Sequence, residues 1–222
     1  NASFLVYNIG MRMRKKKWAL PYIEAHPEII LTMNGTTPYP IDKSGFNRLH
    51  LEIGCGKGDF IVGLALKNED DLCVAVEKDP NAAAVAAKKV EEAQLDNVKI
   101  LCGDGAYLSD WIIEGSVDCI YLNHSDPWPK KCHEKRRLTY ASFCQSYVKW
   151  LTQAGQLIQK TDNSGLFEYS LVSLTHHGFT LEKVWVNYPY QGDEDDVATE
   201  YEMKFRNLNQ PIYRAIFMVN NE

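Results

Sequence analysis

The feature that most constrains the fold is an alternation of short apolar segments with longer amphipathic ones between residues 49 and 177. Strands are predicted at residues 49–53, 72–76, 98–102, 117–122 and 155–160, and helices at residues 60–66, 81–94, 140–151 and 166–177. Strands that alternate with helices in this way pair in parallel, with helices on both faces of the sheet. Two further strands, at residues 179–187 and 211–219, have no long helix between them, so we expect them to pair antiparallel at one edge. The predicted fold class is α/β, with a mostly parallel seven-stranded sheet.

One domain is expected to hold most of the 222 residues, a length that can bury a substantial core. The predicted sheet domain covers residues 34–222, and residues 1–33 form a basic N-terminal arm with a short helical segment. The opening Asn1-Ala2 is typical of a tag remnant, so residues 1–10 are left out of the fold prediction. Residues 188–210 are polar and are expected to form a loop, with an exposed acidic tip at residues 193–196.

Each predicted parallel strand ends in an acidic residue, a glycine turn or both. In an open parallel sheet, ligands bind beyond the carboxyl ends of the strands, so residues from separate strands are expected to meet there. The residues at these ends are Glu52, Gly54, Gly56, Gly58, Glu77, Asp104, Asn123, Asp126 and Asp162. We therefore predict a single ligand site at this edge of the sheet.

The glycine turn after the first of these strands distinguishes two kinds of cofactor. Dinucleotide-binding folds use G-x-G-x-x-G, with the pyrophosphate on the helix N-terminus, whereas this chain has G-x-G-x-G preceded by Glu52. A carboxylate in that position repels pyrophosphate but suits S-adenosylmethionine, which carries a sulfonium and an ammonium group and no phosphate. Glu77 is then placed to bind ribose hydroxyls, and Asp104 to accept from an adenine amino group.

Residues 123–138 combine a carboxylate, an aromatic ring and a run of cations. Asp126 precedes Pro127-Trp128-Pro129, in which the prolines fix the backbone on either side of Trp128. The cations that follow are Lys130, Lys131, Lys135, Arg136 and Arg137, and a second basic cluster at residues 12–17 includes Arg14 and Lys15. The net charge is −5, but charges more than roughly 8–10 Å apart are screened, so a local basic face can bind phosphate. We expect an RNA partner, with the cations on phosphates and Trp128 stacked on a base.

Four motifs in this order resemble those of the bacterial tRNA (guanine-N7-)-methyltransferases. They are LEIGCGKGDF at residues 51–60, SDPWPKKCHEKRRLT at residues 125–139, TDN at residues 161–163, and TEYEMKF with PIYRA at residues 199–205 and 211–215. The resemblance implies a single-domain, Rossmann-like class I methyltransferase fold. It also implies transfer of a methyl group from S-adenosylmethionine to N7 of a guanosine in the variable loop of tRNA.

The same resemblance implies roles for individual residues. Glu52, Glu77, Asp104 and Asp126 are expected to contact the cofactor, together with Gly54, Gly56, Gly58 and Asn123, and Asp126 is also the catalytic candidate. Substrate contacts are expected from Lys130, Asp162, Thr199, Glu200, Tyr201 and Glu202, and phosphate contacts from Lys131, Lys135, Arg136, Arg137, Arg14 and Lys15. The chain departs from the family at His124, where many relatives carry Phe, and at Cys132, where they carry Arg.

The chemistry of methylation at guanine N7 limits the roles that Asp126, Glu200 and Glu202 can have. Guanine N7 has a free lone pair at neutral pH, so no general base is needed and the main task is alignment. We therefore expect Asp126 to stabilise the positive charge that develops on the base. Glu200 and Glu202 alternate along the chain and are expected to face the N1–H and amino donors of guanine together.

Other functions fit parts of the sequence. Asp126-Pro127-Trp128 resembles the Asn/Asp-Pro-Pro-aromatic motif of amino-methylating enzymes, which leaves an amino-methyltransferase on another nucleic acid as an alternative. A non-catalytic RNA-binding module is a further alternative, and a nicotinamide-dependent oxidoreductase is disfavoured by the glycine spacing.

The remaining features concern the cellular setting of the protein. Six scattered cysteines without a C-x-x-C pair predict free thiols in a reducing cytoplasm, and their spacing fits no metal site. No apolar run approaches the roughly 20 residues that span a bilayer. The sequence leaves open whether the protein is a monomer or a homodimer, and which tRNAs it modifies.

Overall fold

An eight-stranded sheet forms the centre of the computed structural model, which describes residues 14–189 and 196–220. The strands are β1 (Ile30–Thr32), β2 (Leu49–Ile53), β3 (Leu72–Glu77), β4 (Val98–Cys102), β5 (Val117–Asn123), β6 (Leu151–Thr161), β7 (Phe179–Trp185) and β8 (Tyr213–Val219). The helices are α1 (Ala19–Ala25), α2 (Asp59–Lys67), α3 (Pro80–Glu92), α4 (Ala141–Trp150), α5 (Ser164–His176) and α6 (Glu200–Asn207). Two 3₁₀ helices, Gly105–Asp110 and Lys131–Arg136, follow β4 and β5.

The strand order is β1-β4-β3-β2-β5-β6-β8-β7. Strands β1 to β6 pair in parallel, whereas β8 pairs antiparallel with both β6 and β7. The predicted α/β fold with an antiparallel edge is therefore confirmed, with one strand more than expected. From β2, the chain runs outward through β3 and β4 on one side and through β5 and β6 on the other. The strand order thus reverses between β2 and β5.

Apolar side chains cover both faces of the sheet, which is why its central strands read as continuous hydrophobic runs. On β3, for example, Val74 belongs to one buried cluster and Cys73 and Ala75 to the other. Helix α3 lies over the second cluster with a row of buried alanines. Small side chains allow close approach here, and a Cβ added at Gly58 would lie 2.7 Å from the Cβ of Ala86.

The extra strand comes from the segment that the sequence predicted to be part of a basic arm. Residues 30–32 pair in parallel with residues 100–102 of β4. Ala19 and Ile23 of α1 are buried in the core, because helix α1 packs its apolar side against the alanine-rich helix α3. A three-residue strand is too short to show a period, which is why the pattern did not indicate it. The proposed domain boundary at residue 33 stays a prediction.

The region predicted to be a polar loop contains helix α6. Its first turn is capped by Thr199, whose Oγ1 accepts a hydrogen bond from the backbone N–H of Glu202 at 3.0 Å. Thr199 and Glu202 have the T-x-x-E spacing of a capping box, a signal that the sequence contained. Most of the predicted acidic tip, residues 193–195, lies outside the described residues. Asp196 was wrongly placed in it, since this residue is 1% exposed and binds Lys160.

None of the helices in the described ranges is both long and apolar enough to cross a membrane.

Gly58 provides a test of the contact between the glycine turn and α3. Gly58→Ala should lower the free energy of unfolding by about 2–4 kcal/mol, because φ is +79° and the new methyl group would overlap Ala86. Gly45→Ala is the matched control, since φ is +92° but no atom lies within 4 Å of the added Cβ. Urea denaturation measures both variants, and equal losses would show that the contact with α3 is unimportant.

Candidate active site

A cleft of about 670 Å³ opens beyond the carboxyl ends of the parallel strands, where the strand order reverses. Its walls come from the turns after β2, β3, β4 and β5 and from the second 3₁₀ helix. The predicted site residues among those that line it are Gly54, Glu77, Asp104, Asp126, Lys135 and Arg136. Trp128, His124 and Ser125 line it as well. The expected meeting of separate strand ends is therefore present in the structure.

The glycine turn forms one wall of the cleft and is held by Glu77. The backbone N–H of Gly56 donates to Oε2 of Glu77 at 2.9 Å, and that of Asp79 donates to Oε1 at 2.8 Å. Gly54 and Gly56 have φ values of +86° and +55°, and open space lies where a side chain would stand. A ligand can therefore approach this backbone closely. Burial raises the pKa of Glu77, and the two backbone donors act against this rise.

Glu52 lies directly behind this wall, at the end of β2, and is joined to the end of β5. Its Oε1 accepts a hydrogen bond from Nδ2 of Asn123 at 3.0 Å. Glu52 is 2% exposed, and burial raises its pKa to about 7, although the bond from Asn123 and the charge of Lys160 act in the opposite direction. Within the described ranges, Oε2 of Glu52 and Oδ1 of Asn123 have no hydrogen-bond partner.

These orphaned acceptors provide a test of the predicted cofactor. Leaving a buried acceptor without a donor costs about 1–3 kcal/mol, so such groups are typical of sites completed by a ligand. A ligand with a cationic, donor-rich end and no phosphate satisfies two buried oxygen acceptors. The residues present therefore fit S-adenosylmethionine, although Glu52 and Asn123 lie behind the residues that line the cleft.

Asp104 lies on the opposite side of the cleft from Asp126. Its carboxylate is exposed and accepts a hydrogen bond from the backbone N–H of Ala106 at 3.0 Å, which caps the first 3₁₀ helix. That bond involves Oδ1 and leaves Oδ2 available to a ligand. Glu77 and Asp104 both line the cleft, as the ribose and adenine contacts predicted for them require.

The turn after β5 carries Asp126 and Trp128. His124 and Trp128 have φ values of +49° and +40°, a region that non-glycine residues rarely occupy. Asp126 is exposed at the mouth of the cleft. The guanidinium carbon of Arg136 lies 4.9 Å from the centroid of the Trp128 ring, so a cation covers one face of the indole.

His124 links the cleft to the end of β6 and to helix α6. Its side chain is 6% exposed. Its Nδ1 lies 3.2 Å from Oδ1 of Asp162, and its ring lies 4.9 Å from that of Tyr201. A carboxylate can only accept, which assigns the proton to Nδ1. The structure therefore brings Asp162 and Tyr201 to the edge of the cleft, with His124 between them and Asp126.

Lys160 holds α6 against the sheet, a role that the sequence analysis missed. This residue of β6 is 1% exposed, and its Nζ donates to Asp196 at 2.7 Å and to Glu202 at 2.8 Å. Burial acts to raise the pKa of Asp196, but the charge of Lys160 holds it below its ordinary value. A buried lysine needs acidic partners. The position of Lys160 inside a predicted buried strand therefore indicated that carboxylates from elsewhere in the chain lie against it.

This arrangement changes the expectation for Glu200 and Glu202. Both lie in α6, whereas the expectation that alternating residues share one face applies to an extended segment. Their joint contact with the base stays a prediction. Glu202 is fully buried, and its Oε1 accepts from Nε of Arg206 at 2.9 Å while its Oε2 accepts from Lys160. A contact between Glu202 and guanine would require this network to open. Thr199, which was also predicted to contact the substrate, caps the N-terminus of the same helix with its side chain.

The predicted phosphate contacts fall into two groups. Lys131, Lys135 and Arg136 are exposed along the second 3₁₀ helix, and Arg14 and Lys15 are exposed on the N-terminal arm. Lys130, which was predicted to contact the substrate, is exposed beside the first three. The backbone N–H of Lys16, the residue after Lys15, donates to Oδ1 of Asn81 in helix α3 at 2.7 Å, which ties this part of the arm to that helix. Arg137 differs from the others, since its guanidinium donates to backbone carbonyls of the Pro127-Trp128 turn.

Comparison with known proteins agrees with this geometry. A family model described as a putative methyltransferase matches residues 47–215. An antibiotic-related methyltransferase of known structure superposes with a TM-score of 0.62 at 16% identity, over 84% of this chain and 99% of that one. At this identity the likeness concerns the fold alone, and it confirms the predicted class I methyltransferase fold.

Two relatives are similar in sequence over almost their whole length. The chain is 44% identical to the tRNA (guanine-N(7)-)-methyltransferase of Limosilactobacillus fermentum, over 95% of this chain and 100% of that protein. It is 42% identical to the protein of the same name from Streptococcus sanguinis, over 92% of this chain and 98% of that one. The family predicted from the motifs is confirmed, and the chain belongs to the tRNA (guanine-N7-)-methyltransferases.

Proposed function

We propose that this protein transfers the methyl group of S-adenosylmethionine to N7 of a guanosine in the variable loop of tRNA, forming 7-methylguanosine. The observation that carries this proposal is the composition of the cleft. One end is lined by the glycine turn, Glu77 and Asp104, and the other by Asp126, Trp128 and Arg136. A donor of nucleoside type and an RNA base can therefore meet within one cavity, with cations at its rim.

The residues of the first end hold the donor. Glu77 binds the ribose hydroxyls, Asp104 accepts from the adenine amino group, and the backbone of Gly54 and Gly56 approaches the methionyl chain. Glu52 and Asn123 lie buried behind the lining residues, and their unpartnered oxygens accept from the ammonium group once the glycine turn opens around the cofactor. S-adenosylmethionine supplies the methyl group on a sulfonium, which becomes a neutral thioether when N7 takes the methyl group.

The residues of the second end orient the base. Trp128 offers an aromatic face for stacking, and the base displaces the guanidinium of Arg136 from that face or stacks on the other. N7 carries no proton, so Asp126 removes none. Its carboxylate stabilises the positive charge that the guanine ring gains as the N7–methyl bond forms and the sulfur–methyl bond breaks.

The tRNA itself is held by a wider surface. Lys131, Lys135, Arg136, Arg14 and Lys15 contact phosphates, and Lys130, Asp162, Glu200 and Tyr201 contact the nucleotides around the target. Thr199 caps α6, and Glu202 reaches the target only if its network with Lys160 and Arg206 opens. All five cations are exposed, and two of them, Lys135 and Arg136, line the cleft, which supports the first set. The contacts of His124 with Asp162 and Tyr201 support the placement of these two residues beside the base.

The function is tested by incubating the protein with labelled S-adenosylmethionine and unmodified tRNA. We expect label in 7-methylguanosine, at a position in the variable loop that borohydride–aniline cleavage identifies. Label in an adenosine amino group would indicate an amino-methyltransferase instead. Binding of tRNA without transfer of label would indicate a non-catalytic RNA-binding module.

The role of Asp126 is tested by Asp126→Asn, which keeps the shape of the side chain and removes its charge. We expect kcat to fall about 10²–10³-fold, the usual effect of losing one group that stabilises transition-state charge. The affinity for tRNA should change little. Asp110→Asn is the matched control, because Asp110 is exposed and does not line the cleft. Single-turnover kinetics measure the effect, and a fully active Asp126→Asn variant would exclude the proposed mechanism.

The role of Glu52 is tested by the pH dependence of stability. Burial raises the pKa of Glu52 from 4.5 to about 7. Between these values the unfolded chain has lost a proton that the folded protein keeps, so the free energy of unfolding falls as pH rises. This loss approaches about 3 kcal/mol above pH 7. Glu52→Gln should remove it, so that urea denaturation finds the variant gaining stability relative to wild type from pH 5 to pH 8.

The same variant should bind S-adenosylmethionine about 10–100-fold more weakly by calorimetry, since a hydrogen bond to a charged group contributes about 1.5–3 kcal/mol. Parallel pH curves for Glu52→Gln and wild type would contradict the raised pKa. Unchanged affinity would contradict the proposed contact with the cofactor.

A further inference from the structure

Arg136 and Arg137 are adjacent in a run of cations, yet their guanidinium groups have different surroundings. Arg136 is exposed and lies over the indole of Trp128. Arg137 is half-buried, and its guanidinium carbon lies 4.2 Å from the centroid of the Tyr169 ring of α5. The backbone explains the difference between the two side chains. Arg136 is the last residue of the second 3₁₀ helix, whereas Arg137 is extended, with φ and ψ of −66° and 133°, so the two side chains leave the chain in different directions.

Arg137 donates hydrogen bonds to the turn that carries Asp126 and Trp128. Its Nε lies 3.2 Å from the carbonyl oxygen of Pro127, and its Nη2 lies 3.1 Å from that of Trp128. A guanidinium presents several donors in one plane, so it can hold two successive carbonyl groups in a fixed relation. These carbonyl groups belong to the two residues that directly follow Asp126.

The turn has few other anchors. Across the described ranges, no backbone–backbone hydrogen bond involves residues 125–129, whereas the residues on either side, His124 and Lys130, have them. Trp128 has φ of +40°, and a non-glycine residue in this region costs on the order of 1–2 kcal/mol. Such a conformation persists where surrounding contacts hold it. The Trp128 ring contacts His133 and Arg136, whereas the backbone of the turn accepts its hydrogen bonds from Arg137.

Helix α5 supports the guanidinium from the opposite side. The aromatic face of Tyr169 attracts the cation, and the backbone N–H of Arg137 donates to the carbonyl oxygen of Glu134 at 3.0 Å. Burial, together with a hydrogen bond to Glu134, raises the pKa of Tyr169, so its ring stays neutral and keeps its stacking face over a wide pH range. Arg137 therefore connects α5 to the turn that carries Asp126.

We propose that Arg137 is a positioning residue that fixes the Asp126-Pro127-Trp128 turn in its reactive shape, rather than a ligand of tRNA phosphate. This inference rests on the roles proposed above for Asp126 and Trp128. Arg137 acts through the turn and does not touch the base. Its loss lets Asp126 and Trp128 move relative to N7, and displacement by about 1 Å can reduce the rate of an aligned reaction about 10²-fold.

Two variants separate the two roles. Arg137→Lys keeps the charge and loses the planar fork, whereas Arg137→Gln loses both. For a positioning residue, both variants lower kcat about 10–100-fold and leave the salt dependence of tRNA binding unchanged. For a phosphate ligand, Arg137→Lys keeps most of its activity, and Arg137→Gln lowers the slope of log K against log salt by about 0.7–0.9. Lys131→Gln is the matched control, because this exposed cation should lower that slope by the same amount.

A spectroscopic readout tests the turn independently of activity. Protein labelled with 5-fluorotryptophan has one ¹⁹F resonance for Trp128, which Trp128→Phe assigns. We expect Arg137→Lys to broaden or split this resonance, as the turn samples several conformations, and Lys131→Gln to leave it sharp. An unchanged Trp128 resonance and an unchanged kcat in Arg137→Lys would overturn the proposal. If wild-type protein does not methylate tRNA, the proposed function fails while the ¹⁹F result still decides the role of Arg137.

Tyr169 variants keep the test decisive if the Arg137 variants do not fold. Tyr169→Phe retains an aromatic face for the guanidinium, and its kcat and Trp128 resonance should match wild type. Tyr169→Leu removes that face, and it should show the same broadening and a smaller loss of kcat. Identical kcat values and spectra for the Phe and Leu variants would contradict the proposed support from α5.

Discussion

Parallel pairing of β2 with both β3 and β5 is the constraint on which the rest of the structure depends. It brings the ends of strands from two halves of the chain to one edge of the sheet, at the point where ligand sites form in such folds. The hydrogen bond from Asn123 to Glu52 crosses this junction. The same pairing sets the distance between the glycine turn after β2 and the Asp126 turn after β5, so the cleft exists because the two strands are neighbours.

Buried charges fix the loops that the sheet alone leaves free. Lys160 projects from β6 and holds Asp196 and Glu202 on a segment far away in sequence, so α6 is tied beside His124 and Asp162. An ion pair of this kind contributes little net stability, because desolvation offsets its attraction. Breaking it leaves an uncompensated buried charge, however, and this makes the placement of α6 specific. Arg137 holds the Asp126 turn by the same principle, with carbonyl groups in place of carboxylates.

The parts of the fold that depend on local pattern were predictable from the sequence. The five central strands and the residues at their ends follow from apolar runs bounded by glycine and acidic residues, and their gathering into one site follows from parallel pairing. What could not be predicted depends on tertiary neighbours. Strand β1 is too short to show a period, and Glu200 and Glu202 alternate equally well in a strand or a polar helix. Arg137 differs from Arg136 in its tertiary neighbours, two carbonyl groups and the ring of Tyr169, and a run of cations contains no sign of them.

The distribution of carboxylates along the cleft is consistent with how charge moves in the proposed reaction. Methyl transfer carries a positive charge from sulfur to the guanine ring, so the charge within the cleft moves and does not disappear. Glu52 is buried on the side proposed for the cofactor, whereas Asp126 is exposed on the side proposed for the base. An exposed carboxylate is screened by water, and its effect grows when solvent is excluded. A base stacked on Trp128 in the proposed way would cover Asp126, so binding of the RNA would itself make this carboxylate effective.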